Sequence, residues 1–389
     1  VTRRSISLLG STGSIGVQAL DVISRNPGRF EVVALAAGGA DPVALAAQVA
    51  AVRPRLVAVA NASAVPAVVA ACEAAGMARV EVVGGAAGVI EAASIGADVV
   101  LNGITGSVGL RPTLAAIAAG STLALANKES LVAGGALVRD ALTRPDQIVP
   151  VDSEHSALAQ ALRGGAPNEV RRLILTASGG AFRGWSREML ETVSPAQALK
   201  HPNWDMGPVV TINSATLVNK ALEVIEAHWL FNMPYERIDV VVHAQSIVHS
   251  MVEFTDGSTL AQVSTPDMRL PIALGLAWPD RVAEAIPALD WTRASSWDFA
   301  PLDEDVFPAI ALAREAAAAS DLHPAVFNAA NEQCVAAFVA GGLPFLGIVD
   351  TVRAVVEAYE FPGAVSLDAV EDAELWARRA ASQFIAKRR

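Results

Sequence analysis

Two short stretches hold most of the residues that could do chemistry. The first is Val151-Asp152-Ser153-Glu154-His155-Ser156; the second, about 70 residues on, is Asn213-Ser214-Ala215-Thr216-Leu217-Val218-Asn219-Lys220-Ala221-Leu222-Glu223. Asp152 and Glu154 are two apart, and an extended segment would point both carboxylates to one face. Such a pair is a two-oxygen chelate for a hard divalent cation such as Mg²⁺ or Mn²⁺. Glu223 reads as helical and could supply a third carboxylate. Asn219 and Lys220, at i−4 and i−3, share its helix face. A cation at one end of that face, with an amide and an ammonium at the other, suits a substrate with a chelating oxygen pair and a phosphate.

The elements that must position these groups follow from hydrophobic periodicity. Strands are expected at 5–9, 31–36, 56–60, 80–83, 99–101 and 122–126, and helices at 15–25, 44–51, 65–75 and 110–119. This alternation predicts an α/β region, a Rossmann-like doubly wound and mostly parallel sheet over residues 1–150. Ligands bind beyond the carboxyl ends of such strands. Residues 151–280 mix strands and helices and are expected to form an α+β catalytic and dimerisation domain. Within them, 247–254 and 259–263 flank Asp256-Gly257 as a hairpin. Residues 281–303 read as an ordered linker. Residues 304–389 read as a C-terminal helical bundle, with helices at 309–319, 325–340, 345–359 and 369–386.

Gly10-Ser11-Thr12-Gly13-Ser14-Ile15-Gly16 follows the first strand and opens a helix. Glycines allow a tight turn, and a helix N-terminus offers free N–H groups to a pyrophosphate. The spacing departs from G-x-G-x-x-G, so a purely structural strand–helix turn is the competing reading. Past the second strand stand Gly38, Gly39 and Ala40, with no acid for the ribose hydroxyls and no adjacent Lys or Arg. That leans towards NADP rather than NAD.

The chain has 389 residues, 52% hydrophobic and 18% charged, with net charge −11. This balance argues against non-specific nucleic-acid binding. The richest apolar run, 43–60, is broken by Gln48, Arg53, Pro54 and Arg55, so no membrane span is expected. Two cysteines, Cys72 and Cys334, form no disulfide framework, and a cytoplasmic setting is expected.

Taken together, residues 10–16, Leu-Ala-Asn-Lys-Glu-Ser-Leu-Val at 125–132, Pro-Val-Asp-Ser-Glu-His-Ser-Ala at 150–157, Ser-Gly-Gly at 178–180, His-Pro-Asn-Trp-Asp-Met-Gly at 201–207 and the 213–223 stretch resemble the 1-deoxy-D-xylulose 5-phosphate reductoisomerases. The likeness runs through nearly the whole chain, including His249-Ser250-Met251, Pro266-Asp267-Met268-Arg269 and Asn328-Ala329-Ala330-Asn331-Glu332. It implies a homodimeric enzyme, with the hairpin as interface, that rearranges a ketose phosphate and reduces the aldehyde with NADPH to 2-C-methyl-D-erythritol 4-phosphate.

The resemblance also implies roles. Asp152, Glu154 and Glu223 match the ligands of a divalent metal (Mn²⁺, Mg²⁺ or Co²⁺). Ser153 and Lys128 match substrate contacts, and Lys128 could also stabilise an oxyanion or assist proton transfer. Ser178, Ser214, Asn219 and Lys220 match a phosphate pocket. His201 to Pro208 match a mobile lid in which His201 reaches the phosphate end and Trp204 covers the substrate. Gly10 to Ile15, Gly38, Gly39, Asn127, Glu129 and Gly207 match cofactor positions. His155, His249 and Glu226 match supporting positions. Gly39 and Ala40 depart from relatives that carry Lys and Asn there. Two readings compete: a Rossmann-type dehydrogenase of another phosphorylated substrate, and an inactive dinucleotide-binding paralogue.

Overall fold

A computed structural model describes residues 3–200 and 207–388. These form two compact units. One comprises residues 3–130, 140–156 and 267–287; the other comprises 131–139, 157–266 and 288–388.

The first unit is a seven-stranded parallel sheet: β1 (Arg4–Leu9), β2 (Phe30–Ala37), β3 (Leu56–Val59), β4 (Glu81–Gly84), β5 (Val99–Asn102), β6 (Thr122–Leu125) and β7 (Ile148–Pro150). Spatial order is β4-β3-β2-β1-β5-β6-β7, so the order reverses between β1 and β5. A crevice beyond those two strand ends is where doubly wound sheets take ligands. The inner strands are apolar runs buried on both faces, as parallel sheets covered by helices require. Helices Ser14–Ser24, Pro42–Val52, Val65–Ala74, Gly85–Ala93 and Leu110–Ala118 supply the crossovers. Pro42–Val52 shows local encoding: Asp41 accepts from Ala44 N at its start, with Pro in the first turn.

Within residues 1–150, helix Gly85–Ala93, helix Glu129–Ala141 and β7 escaped the periodicity reading. The first is Ala- and Gly-rich, the second holds a non-helical Gly134, and the third is three residues long. Helix Arg269–Ala277 also falls differently from the expected 151–280 block. Its residues from Pro271 to Ala277 are all buried, and it packs on the seven-stranded sheet. There Gly275 is needed, because a Cβ would lie 3.0 Å from Val151 Cγ2 and 3.2 Å from Ala124 Cβ.

The second unit carries a five-stranded sheet of β8 (Val170–Ala177), β9 (Ile238–Val242), β10 (Val248–Phe254), β11 (Thr259–Val263) and β12 (Ala300–Pro301), in the order β11-β10-β8-β9-β12. The expected hairpin is present as antiparallel β10 and β11. β11 is an edge strand and largely exposed. The 281–303 stretch contains β12 but no helix. Helices Ala309–Ala319, His323–Val339, Phe345–Glu357 and Leu367–Arg388 form the C-terminal bundle. His323–Val339 packs against the other three and is buried along most of its length, hence its weak amphipathicity. One apolar core joins these helices to helix Val218–Phe231 and the second sheet.

Candidate functional site

In the first unit the glycine loop closes tightly over the end of β1. Gly10 N and Ser11 N both donate to Ala36 O, at 2.8 and 2.9 Å. Gly10 has φ +80°, and a Cβ there would stand 2.6 Å from Gly103 O. A Cβ on Gly16 would run into Gly10 O and Ser11 O, so the helix start is pressed onto the loop. Helix Ser14–Ser24 has Gly13 as N-cap and no side-chain cap, which leaves its first amides to a ligand. Ser11 is fully buried, and its Oγ has no hydrogen-bond partner among the described residues. This cradle fits a pyrophosphate.

Beyond β6, Asn127 is buried and its Nδ2 donates to Ile104 O at 2.7 Å, Gly106 O at 2.8 Å and Glu129 Oε2 at 3.0 Å. It therefore shapes the loop after β5 and holds Glu129 at the start of its helix. Behind it lies a network that sequence reasoning missed. Asn102 Nδ2 donates to Thr113 Oγ1 at 2.9 Å, and Thr113 and Ser130 hydroxyls lie 3.0 Å apart. All three residues are fully buried. A polar residue ending the apolar strand Val99–Asn102 was the available signal.

Asp152 is the centre of this half. Its Oδ2 accepts from Lys128 Nζ at 2.6 Å, with both side chains at most 14% exposed. Its Oδ1 lies 3.0 Å from Nδ1 of buried His155 and accepts from Glu154 N at 3.2 Å. Burial opposes ionisation of this carboxyl, but the Lys128 ammonium and His155 outweigh it and hold its pKa well below the usual carboxylate range. Ser153 Oγ donates to Glu154 Oε2 at 2.7 Å.

The extended-segment expectation for 152–154 is incorrect. Glu154 lies in the first turn of helix Ser153–Ala161, and Asp152 precedes it, accepting from Ser156 N through its carbonyl at 2.8 Å. Asp followed by Ser and Glu is a helix-start signature, and the N-terminal dipole favours both acids there. The two carboxylates are brought together by a helical turn rather than by strand alternation.

In the second unit, β8 ends at Ser178-Gly179-Gly180. Both glycines have positive φ, +83° and +66°. Gly180 N donates to Ser178 Oγ at 3.2 Å, and a Cβ on Gly180 would stand 2.5 Å from Ser214 O. Ser178 and Ser214 are thus carried on segments in direct contact. Leu217, at φ +60°, breaks helix Pro208–Ala215 from helix Val218–Phe231, and no side chain of this N-cap residue caps the second helix. Glu223 then accepts from Asn219 Nδ2 at 2.5 Å and pairs with Lys220. The expected i−4 and i−3 neighbours are therefore in place, but the ion pair is buried rather than on the surface: Lys220 is 5% and Glu223 1% exposed. Glu226, one turn on, is also buried. His249 is buried too, and burial pushes its pKa down to about 4. Gly207 is the N-cap of helix Pro208–Ala215. His201, Trp204 and the rest of the expected lid before Gly207 lie outside the described residues.

Three family profiles match the chain: 1-deoxy-D-xylulose 5-phosphate reductoisomerase over residues 6–135, its C-terminal domain over 148–231, and a DXP reductoisomerase C-terminal domain over 263–380. A 1-deoxy-D-xylulose 5-phosphate reductoisomerase of Beutenbergia cavernae is 64% identical over 388 residues, covering 99% of this chain and 98% of that one. The chain belongs to the 1-deoxy-D-xylulose 5-phosphate reductoisomerase family. The reductoisomerase of Kitasatospora griseola is 59% identical, over 97% of this chain and 99% of its own.

Solved reductoisomerases share the fold. The Zymomonas mobilis reductoisomerase in complex with NADPH has a TM-score of 0.92 at 42% identity, covering 99% of both chains. A reductoisomerase in complex with NADPH, fosmidomycin and magnesium has a TM-score of 0.91 at 35% identity, covering 98% of both.

Proposed function

We propose that this chain rearranges 1-deoxy-D-xylulose 5-phosphate and reduces the resulting aldehyde with NADPH, yielding 2-C-methyl-D-erythritol 4-phosphate. The observation that carries the reading is Asp152, a carboxylate kept ionised although almost buried, with a lysine and a histidine on it and Glu154 in the helical turn that follows. Charged carboxylates of this kind suit a hard cation. Asp152, Glu154 and Glu223 would hold a divalent metal. When bound, that ion would draw in the substrate's ketone and neighbouring hydroxyl oxygens and offset negative charge developing on them.

The chain's own residues divide the remaining work. Lys128 stabilises developing negative charge or assists proton transfer, and Ser153 orients the substrate's oxygens. Ser178, Ser214, Asn219 and Lys220 receive the phosphate, supported by the glycine contact between the two serine segments. The glycine loop, Gly38, Gly39, Asn127, Glu129 and Gly207 bind or frame NADPH. His201 and Trp204 close over the substrate and keep water from the aldehyde. Neither a dehydrogenase of another substrate nor an inactive paralogue is favoured by full-length relatives of one activity. Edge strand β11 suits pairing with a second copy as a homodimer. Among the described residues no helix is long and apolar enough to cross a membrane, in keeping with a cytoplasmic enzyme.

The test is direct. Chelator-stripped protein is mixed with 1-deoxy-D-xylulose 5-phosphate and NADPH, and nicotinamide absorbance is followed with and without Mn²⁺. Metal-dependent oxidation is expected. A folded, NADPH-binding sample that oxidises nothing would overturn the reading.

A further inference from the structure

NADPH differs from NADH by one phosphate on the adenosine ribose, and in this fold class that ribose sits beyond the second strand. Here the segments past β2 and β3 are Gly38-Gly39-Ala40-Asp41 and Ala60-Asn61-Ala62-Ser63. Neither contains Lys or Arg. The arginines nearby in sequence, Arg53 and Arg55, precede β3 and so belong to its amino end, the opposite edge of the sheet. Asp41 is committed elsewhere, its Oδ1 accepting from Ala44 N at 2.9 Å as a helix cap. These two strand ends thus lack both an acid placed for a bare ribose and a cation for a phosphate.

The structure does place a neutral donor there. Ala60 N donates to Ala37 O at 2.9 Å and Asn61 N to Gly38 O at 3.2 Å, so the turn after β3 runs along the end of β2. Gly39 makes this possible: at φ +92°, a Cβ would stand 2.6 Å from Val59 Cγ1 and 2.9 Å from Ala64 Cβ. Asn61 Oδ1 accepts from Ser63 N at 3.1 Å and Ser63 Oγ at 2.8 Å. Those bonds fix the amide plane and leave Nδ2 on its other side, on an exposed residue.

We propose that Asn61 is a specificity-determining residue, presenting Nδ2 to the 2′-phosphate, so that this chain selects NADPH through neutral donors rather than a cation. The proposal rests on the NADPH reading above. A hydrogen bond to a charged group carries about tenfold to a hundredfold of preference, which sets the expected ratio of NADH to NADPH dissociation constants.

Asn61→Asp is the decisive variant, because a carboxylate can still accept from Ser63 while the donor becomes an anion. Dissociation constants of NADPH and NADH are measured by nicotinamide fluorescence on the full chain, without substrate or metal. We expect Asn61→Asp to weaken NADPH at least about thirtyfold and NADH by less than about threefold. Asn61→Ser, which keeps a capping oxygen, should shift the ratio the same way by about fivefold. An unchanged ratio in both folded variants overturns the proposal while leaving the cofactor reading intact. Wild-type protein that binds neither dinucleotide overturns both.

Discussion

Two lysine–carboxylate pairs buried among the described residues are built differently. Lys128 and Asp152 are 24 residues apart, one following β6 and the other following β7. Lys220 and Glu223 are three apart on one helix. The first pair exists only because adjacent parallel strands deliver their ends side by side. The second needs nothing beyond helical periodicity and a core that covers it. Buried pairs add little net stability, but removing one partner strands the other, at about 3–5 kcal/mol. Both pairs are therefore better explained as prepared chemistry than as stabilisers.

Removing the carboxylates should give the largest effects and sharpen the contrast. Asp152→Asn and Glu223→Gln should each lower turnover at least about a thousandfold in saturating Mn²⁺. Steady-state rates near wild type would show that the metal assignment is wrong. NADPH affinity should survive in Glu223→Gln. Asp152→Asn should also lower the melting temperature more, because two cationic partners, Lys128 and His155, lose the anion they share, whereas Glu223→Gln takes it from Lys220 and keeps the contact with Asn219. Equal melting temperatures would erase that difference.

The lysines should then separate by kinetic constant. Lys128→Met should lower kcat about a hundredfold with little change in KM. Lys220→Met should chiefly raise KM for the phosphorylated substrate, about tenfold or more. The reverse pattern would exchange the roles given to the two pairs.

The same contrast explains how much of the molecule could be read in advance. Strands β1, β2, β3, β5 and β6 were visible because both-face burial demands unbroken apolar runs, and the Asn219–Lys220–Glu223 face was visible because helix spacing is local. Asp152 and Glu154 were placed together for the wrong reason, since two-apart residues look alike in a strand and across a helix start. The Asn102–Thr113–Ser130 network showed in sequence only as a polar end to an apolar strand, because its members are paired by tertiary contact alone. Helix Arg269–Ala277 was misplaced because sequence order does not say which sheet an apolar face will cover.

The two glycine cradles offer a smaller test. Gly10→Ala should cost about 1–3 kcal/mol of stability and weaken NADPH, because φ is +80° and Gly103 O lies in the way. Gly180→Ala should cost a similar amount but raise the substrate KM instead, by displacing the Ser214 backbone. Melting curves and separate titrations of cofactor and substrate distinguish them.

The smallest expected effect is a pH dependence, and here too the units differ. His249 has its pKa lowered to about 4, first by burial, with hydrogen bonds from the ring to the backbone at 264–265 opposing. The unfolded imidazole, near 6.5, binds its proton more readily, so the neutral ring's contribution is complete above 6.5 and is lost as pH falls towards 4. Asp152 acts elsewhere on the scale. Its lowered pKa gives a contribution present above the unfolded value of about 3.9, lost only below it. Between pH 7 and 5 the His249 term alone should therefore remove about 2 kcal/mol. Denaturant titrations of wild type and His249→Gln at both pH values check this: the variant should lose less stability across the interval. An identical loss would mean that the imidazole already carries its proton in the folded chain.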